Sequence, residues 1–247
     1  MKLKTLIEEG QSFHNTWVRL LKKVLFFKID LEIGGAGERK AILDSCALIS
    51  LYGNAIHQIE QKELHPQFPF RRIKEYCDEY SREYVQQYRK EDKELRFSYL
   101  YMDRFLNWAP SDTTSWLPKV NQLDTLAAEL GRQMSDNITS NRSQVITWVP
   151  HYDPNIHSPC LQRIQIRYIP DNCVDIHLTW RSRDLYRAWQ PNIICIIEML
   201  NREVIKPNGC KIIRLIDFND SLHIYRADIE EAKRIKTVPV SPQEING

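Results

Sequence analysis

The chain lacks any run of about 20 apolar residues that could span a bilayer, and its start, "MKLKTLIEEGQ", has no apolar core of the signal-peptide kind. It lacks a CxxC pair, and its six cysteines and seven histidines complete no zinc spacing, so no metal is expected. It also lacks charge of one sign. A net charge of +2 excludes a broad electrostatic case for a nucleic-acid polymer or a membrane surface, so an anion site has to be built locally. There is no internal repeat and no low-complexity segment. These absences leave a soluble cytoplasmic protein as the expectation, with its thiols reduced and the sequons at Asn137 and Asn141 as chance matches.

What is present is periodic. "SFHNTWVRLLKKVLFF" puts Phe13, Trp17, Leu20, Leu21 and Val24 on one helical face. "RRIKEYCDEYSREYVQQYRK" does the same with Ile73, Tyr76, Cys77, Tyr80 and Tyr84, and "VNQLDTLAAELGRQM" with Val120, Leu123, Ala127 and Leu130. Stripes of this kind are core. "EIGGAGERK" reads as a loop, either a plain solvated turn or a flexible segment that presents Arg39 to an anionic ligand. "AILDSCALISLYG" is β-like and "HPQFPF" a loop. "SQVITWV", "LQRIQIRY", "VDIHLTW" and "CKIIRLIDF" read as strands, "AWQPNIICIIEMLNREV" as a buried helix, and 236–247 as irregular. Helices and strands mix without a βαβα rhythm, which predicts an α+β fold in one domain, 1–247.

Cys160, in "SPCLQRI", could be packing, a metal ligand or a nucleophile. Taken alone it is packing, because cysteine is among the most buried residue types. Its company changes that. "TWRSRDLYRAWQPN", about twenty residues on, concentrates arginines, a serine, an aspartate and an asparagine. A thiolate needs a neighbouring cation, a phosphate needs a guanidinium fork and a hydroxyl, and an asparagine both donates to and accepts from a base edge.

Pro159-Cys160, then Arg181-Ser182-Arg183-Asp184, then Asn192 eight residues beyond that aspartate, then His223-Ile224-Tyr225, together resemble the thymidylate synthases. The likeness is best with the short archaeal-type members. It is clear over 95–230, weaker over 10–90 and lost in the tail at 231–247. It implies one large mixed β-sheet flanked by helices, with a sheet face forming a homodimer interface. It implies methylation of dUMP to dTMP with 5,10-methylene-tetrahydrofolate, or a methanopterin-type analogue, as co-substrate. By the same resemblance, Cys160 is the nucleophile that adds to carbon 6 of the uracil. Arg181 binds phosphate and favours the thiolate, Ser182 donates to the phosphate, and Asp184 orders the site. Asn192 reads the uracil edge, and His223 and Tyr225 hold the sugar 3′-hydroxyl. Where the family has two partner-subunit arginines, this chain has Asn141-Arg142. One fork is lost, and Arg39 or Arg163 could compensate.

Other departures are Leu161 after the cysteine, Trp180 before Arg-Ser and Ala188 for a glycine. The family's N-terminal glutamate has no clear counterpart. Glu75, Glu79 and Glu83 lie in the right region but read as a solvated face. Tyr101 and Arg104, in "YLYMDRFLNW", are weak counterparts of a cavity-lining segment. Two other functions share these residues: a nucleotide 5-hydroxymethylase on the same intermediate, and a non-catalytic nucleotide-binding relative, for which the retained Cys160 has no use.

Overall fold

The computed structural model describes residues 4–27, 29–35, 38–57, 70–91, 99–109, 118–150, 153 and 158–237. In chain order the elements are β1 (Thr5–Gly10), α1 (Phe13–Phe27), β2 (Ile29–Gly35), β3 (Glu38–Tyr52), α2 (Asn54–His57), α3 (Phe70–Asp78), α4 (Arg82–Glu91), α5 (Tyr101–Leu106), α6 (Gln122–Asp136), β4 (Gln144–Ile146), β5 (Leu161–Ile169), β6 (Cys173–Trp180), β7 (Arg183–Asp184), α7 (Trp189–Leu200), β8 (Lys211–Tyr225) and α8 (Ile229–Ala232). This is the mixed α+β class that the pattern predicts. No described helix is long and apolar enough to cross a membrane. The chain divides into two compact units, one made of Met1–Phe70, Trp180–Ile193 and Arg214–Gly247, the other of Arg71–Thr179 and Ile194–Ile213.

The first unit is organised by β3. One edge of β3 pairs antiparallel with β2 over its first half and parallel with β1 over its second, while β8 runs antiparallel along the other edge. The short β7 pairs parallel with β8. α1 buries Phe13, Trp17, Leu20, Leu21 and Val24, as its spacing predicts. The Trp17 Nε1–H donates to the Leu185 carbonyl at 2.8 Å, and Phe13 stacks on Trp189 at 5.1 Å between centroids.

In the second unit β6, β5 and β4 lie side by side in that order. Asp171 and Asn172, both at positive φ, turn the chain between β5 and β6. Short polar side chains tolerate that region, which suits the twist of a hairpin. α6 is capped by Asn121, whose side chain accepts from the Asp124 N–H at 3.1 Å. It buries Leu123, Leu126, Leu130 and Gln133; of the expected stripe, Ala127 is half-buried and Val120 lies exposed ahead of the helix.

Four expectations need correction. Residues 32–35 and 38–40 are strand rather than loop. Gly34 pairs with Arg39 and Gly35 with Glu38 in the β2–β3 ladder, where seven successive pairs override the weak strand preference of glycine. The tyrosine-striped segment is two helices rather than one. Ser81 stops the first by donating to the Asp78 carbonyl at 2.7 Å and caps the second by accepting from the Tyr84 N–H at 3.1 Å. Only Gln144–Ile146 of "SQVITWV" is strand. The expectation of reduced thiols fails for one pair: Cys77 and Cys195 are joined in a disulfide, with Cα atoms 4.8 Å apart. Of the stripe, Ile73, Cys77 and Tyr80 are buried, while Tyr76 and Tyr84 are half-buried. "HPQFPF" up to Pro69 and the tail from 238 lie outside the described residues.

Candidate active site

In the second unit Cys160 stands on the bend just ahead of β5, half-buried and outside the disulfide. A strand's first N–H groups have no ladder partner of their own and need one elsewhere. Here tyrosines supply it. The Cys160 N–H donates to the Tyr99 hydroxyl at 3.2 Å, and the Leu161 N–H donates to the Tyr101 hydroxyl at 3.1 Å. Tyr101 in turn packs against Tyr99 at 5.3 Å and Tyr80 at 6.2 Å. Burial pushes the Tyr101 hydroxyl well above its ordinary range, with Tyr99, Cys160 and Tyr76 adding to the effect. Tyr101 therefore stays neutral at physiological pH.

The residues ahead of Cys160 are held as firmly. Ser158 donates to the Asp153 carbonyl at 2.8 Å, and the fully buried Asp153 carboxylate accepts from the Val149 N–H at 2.6 Å and from Arg104 at 2.8 Å. The result is a cysteine of fixed backbone beside the hydroxyls of Tyr99 and Tyr101.

Arg142 lies exposed on the loop between α6 and β4, its N–H donating to the Ser140 hydroxyl at 3.2 Å. It lines an open cleft of about 680 Å³ with Asn141, Thr125, Glu129 and Arg132. Arg163 is half-buried on β5.

The first unit carries the other predicted residues. Arg181 is exposed and Ser182 half-buried, just ahead of β7. β7 sets Asp184 level with His223 on β8, and the next N–H, of Leu185, donates to the His223 carbonyl at 2.7 Å. The Asp184 carboxylate accepts from the backbone N–H of Tyr186 at 2.9 Å and Arg187 at 3.0 Å, closing the turn that leads to α7. Burial raises its pKa to about 6, with Asp228 adding to the rise and the two N–H bonds working against it. A carboxyl poised near neutrality can hold or release a proton. Asn192 is buried in the first turn of α7, its N–H donating to the Ala188 carbonyl at 3.0 Å.

His223 is 3% exposed and sits edge-on to Tyr225, two residues along the same face, at 5.1 Å. Burial pulls its pKa below the usual value, while Asp44 and the Ser221 backbone pull the other way. The neutral ring is favoured. Arg39 falls on β3 opposite Gly34; its side chain is outside the described residues.

Some residues of the site were not assigned from the spacing. Tyr99 and Asp153 hold the cysteine bend from 61 and 7 positions away, and nothing local to them signals that. Arg183, the variable member of Arg-Ser-x-Asp, is fully buried. It pairs with Asp217 at 2.7 Å, donates to the Trp189 carbonyl at 3.0 Å and stacks on Trp180. Asp217 also accepts from the Trp189 indole at 2.9 Å and Asn219 at 3.0 Å. This network ties β7 and the start of α7 to β8. Of the glutamates, Glu75 and Glu83 are exposed, the former paired with Arg71 at 3.1 Å.

The sequence profile of the family described as "Thymidylate synthase" matches residues 6–243. Among curated proteins, the chain is 28% identical over 117 residues to a Methanothermobacter thermautotrophicus protein named "Putative thymidylate synthase", covering 47% of this chain and 50% of that one. It is 27% identical over 154 residues to a protein of the same name from Methanosarcina barkeri, covering 62% and 64%. The matches thus span about half to two thirds of the length of these relatives. The profile match covers nearly all of the sequence and takes in every element that carries a predicted site residue, so the chain belongs to the thymidylate synthase family.

Proposed function

We propose that the protein is a one-carbon transferase that methylates dUMP to dTMP through a covalent bond between Cys160 and carbon 6 of the uracil. The observation that carries this reading is Cys160 itself: a half-buried thiol at the mouth of β5, outside the disulfide, with its backbone pinned by a tyrosine hydroxyl.

Addition of the thiolate to carbon 6 makes carbon 5 nucleophilic, which turns one hard substitution into easier steps. A bound methylene-folate would supply the one-carbon unit and the hydride that completes the methyl group. Tyr101, neutral and hydrogen-bonded, can hold a proton near the thiol. Arg181 and Ser182 bind the nucleotide phosphate, joined by Arg142 from the partner subunit of a homodimer. Asn192 reads the uracil edge, and His223 and Tyr225 take the sugar. Asp184, whose carboxylate accepts from the Tyr186 and Arg187 N–H groups, orders the turn into α7.

The test is the mass of the product formed from dUMP and methylene-tetrahydrofolate. A methyl group on carbon 5 is expected. A hydroxymethyl group would mean that water takes the place of hydride on the same intermediate. Absence of both, together with no 5-fluoro-dUMP adduct at Cys160 in the denatured protein, would sink the reading. Cys160→Ala should abolish turnover while nucleotide binding stays within about tenfold, or about 1.4 kcal/mol.

A further inference from the structure

We infer that Asp44 and Ser221 are positioning residues that hold His223 as its Nδ1–H tautomer, so that Nε2 accepts a hydrogen bond from a sugar hydroxyl and refuses groups that cannot donate one. The inference rests on the nucleotide reading above for its ligand, but not for its tautomer.

Strand register brings the three residues together. Asp44 on β3 is the direct cross-strand partner of His223 on β8. Ser221 lies two residues before His223, on the same face of the strand. The ladder shifts here: Ser45 pairs with Leu222 but Ala47 with Asn219, so Asp220 and Ser221 together oppose Cys46. An extra residue of this kind bends its strand and re-aims side chains. The Ser221 hydroxyl reaches Asp44 Oδ1 at 2.6 Å and His223 Nδ1 at 3.3 Å.

Proton counting assigns the roles. An ionised carboxylate only accepts, so the single Ser221 proton goes to Asp44. Ser221 Oγ can then only accept from the ring, which places the ring proton on Nδ1. Nε2 of the neutral imidazole is left with a lone pair. That nitrogen is buried and has no hydrogen-bond partner among the described residues. Buried ring nitrogens in native proteins are normally satisfied. A donor from outside the chain would satisfy this one. The depressed His223 pKa agrees, since a protonated ring would donate from both nitrogens.

The specificity follows from the chemistry. A 3′-hydroxyl can donate to Nε2. A 3′-fluorine of similar size can only accept weakly, and a 3′-phosphate brings acceptor oxygens against a lone pair. Asp44 and Ser221 thus set which 3′ substituents the site admits without touching them.

The experiment has two arms on the full chain. In the first, 15N-resolved imidazole NMR of His223 should show the Nδ1–H tautomer in the wild type. Ser221→Ala should raise the Nε2–H fraction, and Ser221→Thr, which keeps the hydroxyl, should restore the wild-type pattern. A wild-type spectrum dominated by Nε2–H overturns the proposal without any variant. In the second, the wild type should bind dUMP at least about tenfold more tightly than its 3′-fluoro-3′-deoxy analogue, a gap of about 1.4 kcal/mol. Ser221→Ala and Asp44→Ala should each bring that ratio to about threefold or less. A ratio unchanged in both variants overturns the proposal. If the wild type binds neither nucleotide, the functional reading falls, and the NMR arm still decides the tautomer.

Discussion

Removing Arg183 should destabilise the protein more than removing any exposed arginine, and the size of the effect can be worked from its surroundings. Arg183 and Asp217 are 2% and 0% exposed and meet at 2.7 Å. Arg183→Met roughly keeps the volume but strips the counter-charge from a carboxylate that cannot reach water. Breaking a buried pair from one side costs about 3–5 kcal/mol, because the remaining charge stays desolvated. Asp217 keeps its bonds from Trp189 and Asn219, which argues for the lower half of that range. For 247 residues the entropy of unfolding is about 0.5 kcal/mol per kelvin, at about 2.1 cal/mol/K per residue. The expected loss in Tm is therefore about 6–8 °C.

Calorimetry or a thermal melt followed by circular dichroism reads this directly. Asp217→Asn should cost a comparable amount, since it strands the guanidinium instead. The double variant should be less destabilised than the two single losses added, by at least about 1 kcal/mol, as expected for residues in contact. By contrast Arg132→Met, on a 55% exposed side chain paired at the surface, should move Tm little. An Arg183→Met protein melting within about 1 °C of wild type would refute the reasoning, since the expected loss is several times larger.

Three further outcomes are expected. Arg142→Ala and Cys160→Ala homodimers should each be nearly inactive, and mixing them with subunit exchange should recover activity; proven heterodimers without recovery would exclude Arg142 from the partner's site. Asn192→Asp should shift the kcat/KM ratio toward dCMP by at least about tenfold, because a carboxylate accepts from the cytosine amino group where the amide of Asn192 matches uracil; an unchanged ratio would reduce Asn192 to a helix-terminal residue. The pH dependence of stability should carry two opposed contributions. Asp184 has a folded pKa raised from 3.8 to about 6, so its contribution is full below 3.8 and is lost as pH rises through about 6. His223 has a folded pKa below 6.5, so its contribution is full above 6.5 and is lost as pH falls through the folded value. Asp184→Asn should remove the first alone, so that the variant gains on the wild type in Tm between pH 4 and pH 6; parallel Tm curves would show that Asp184 titrates as it does in the unfolded chain.

The elements legible in the sequence are those specified by near neighbours. The 3.6-residue stripes of α1 and α6 and the alternation along β6 are fixed within one or two turns or a few residues, because a buried face needs its apolar side chains at that spacing wherever it packs. The candidate site is likewise written at short range: Arg181 to Asn192 is a single short stretch, and Pro159-Cys160 and His223-Ile224-Tyr225 are shorter still. What only the tertiary structure decided depends on residues that meet after the chain has turned back. The tyrosine that holds the Cys160 bend is 61 positions away, the partner of Cys77 is 118 away, and the aspartate that accepts from the Ser221 hydroxyl is 177 away. The two-residue β7 has no periodicity to read and exists because β8 lies beside it. The bulge at Asp220–Ser221 is visible only as a mismatch between two strands. The hydrophobic pattern says which side of a strand is buried, but it does not say which strand lies alongside. That choice is made by the packing of the whole sheet, and here it determines which buried polar atom, Nε2 of His223, is left without a partner among the described residues.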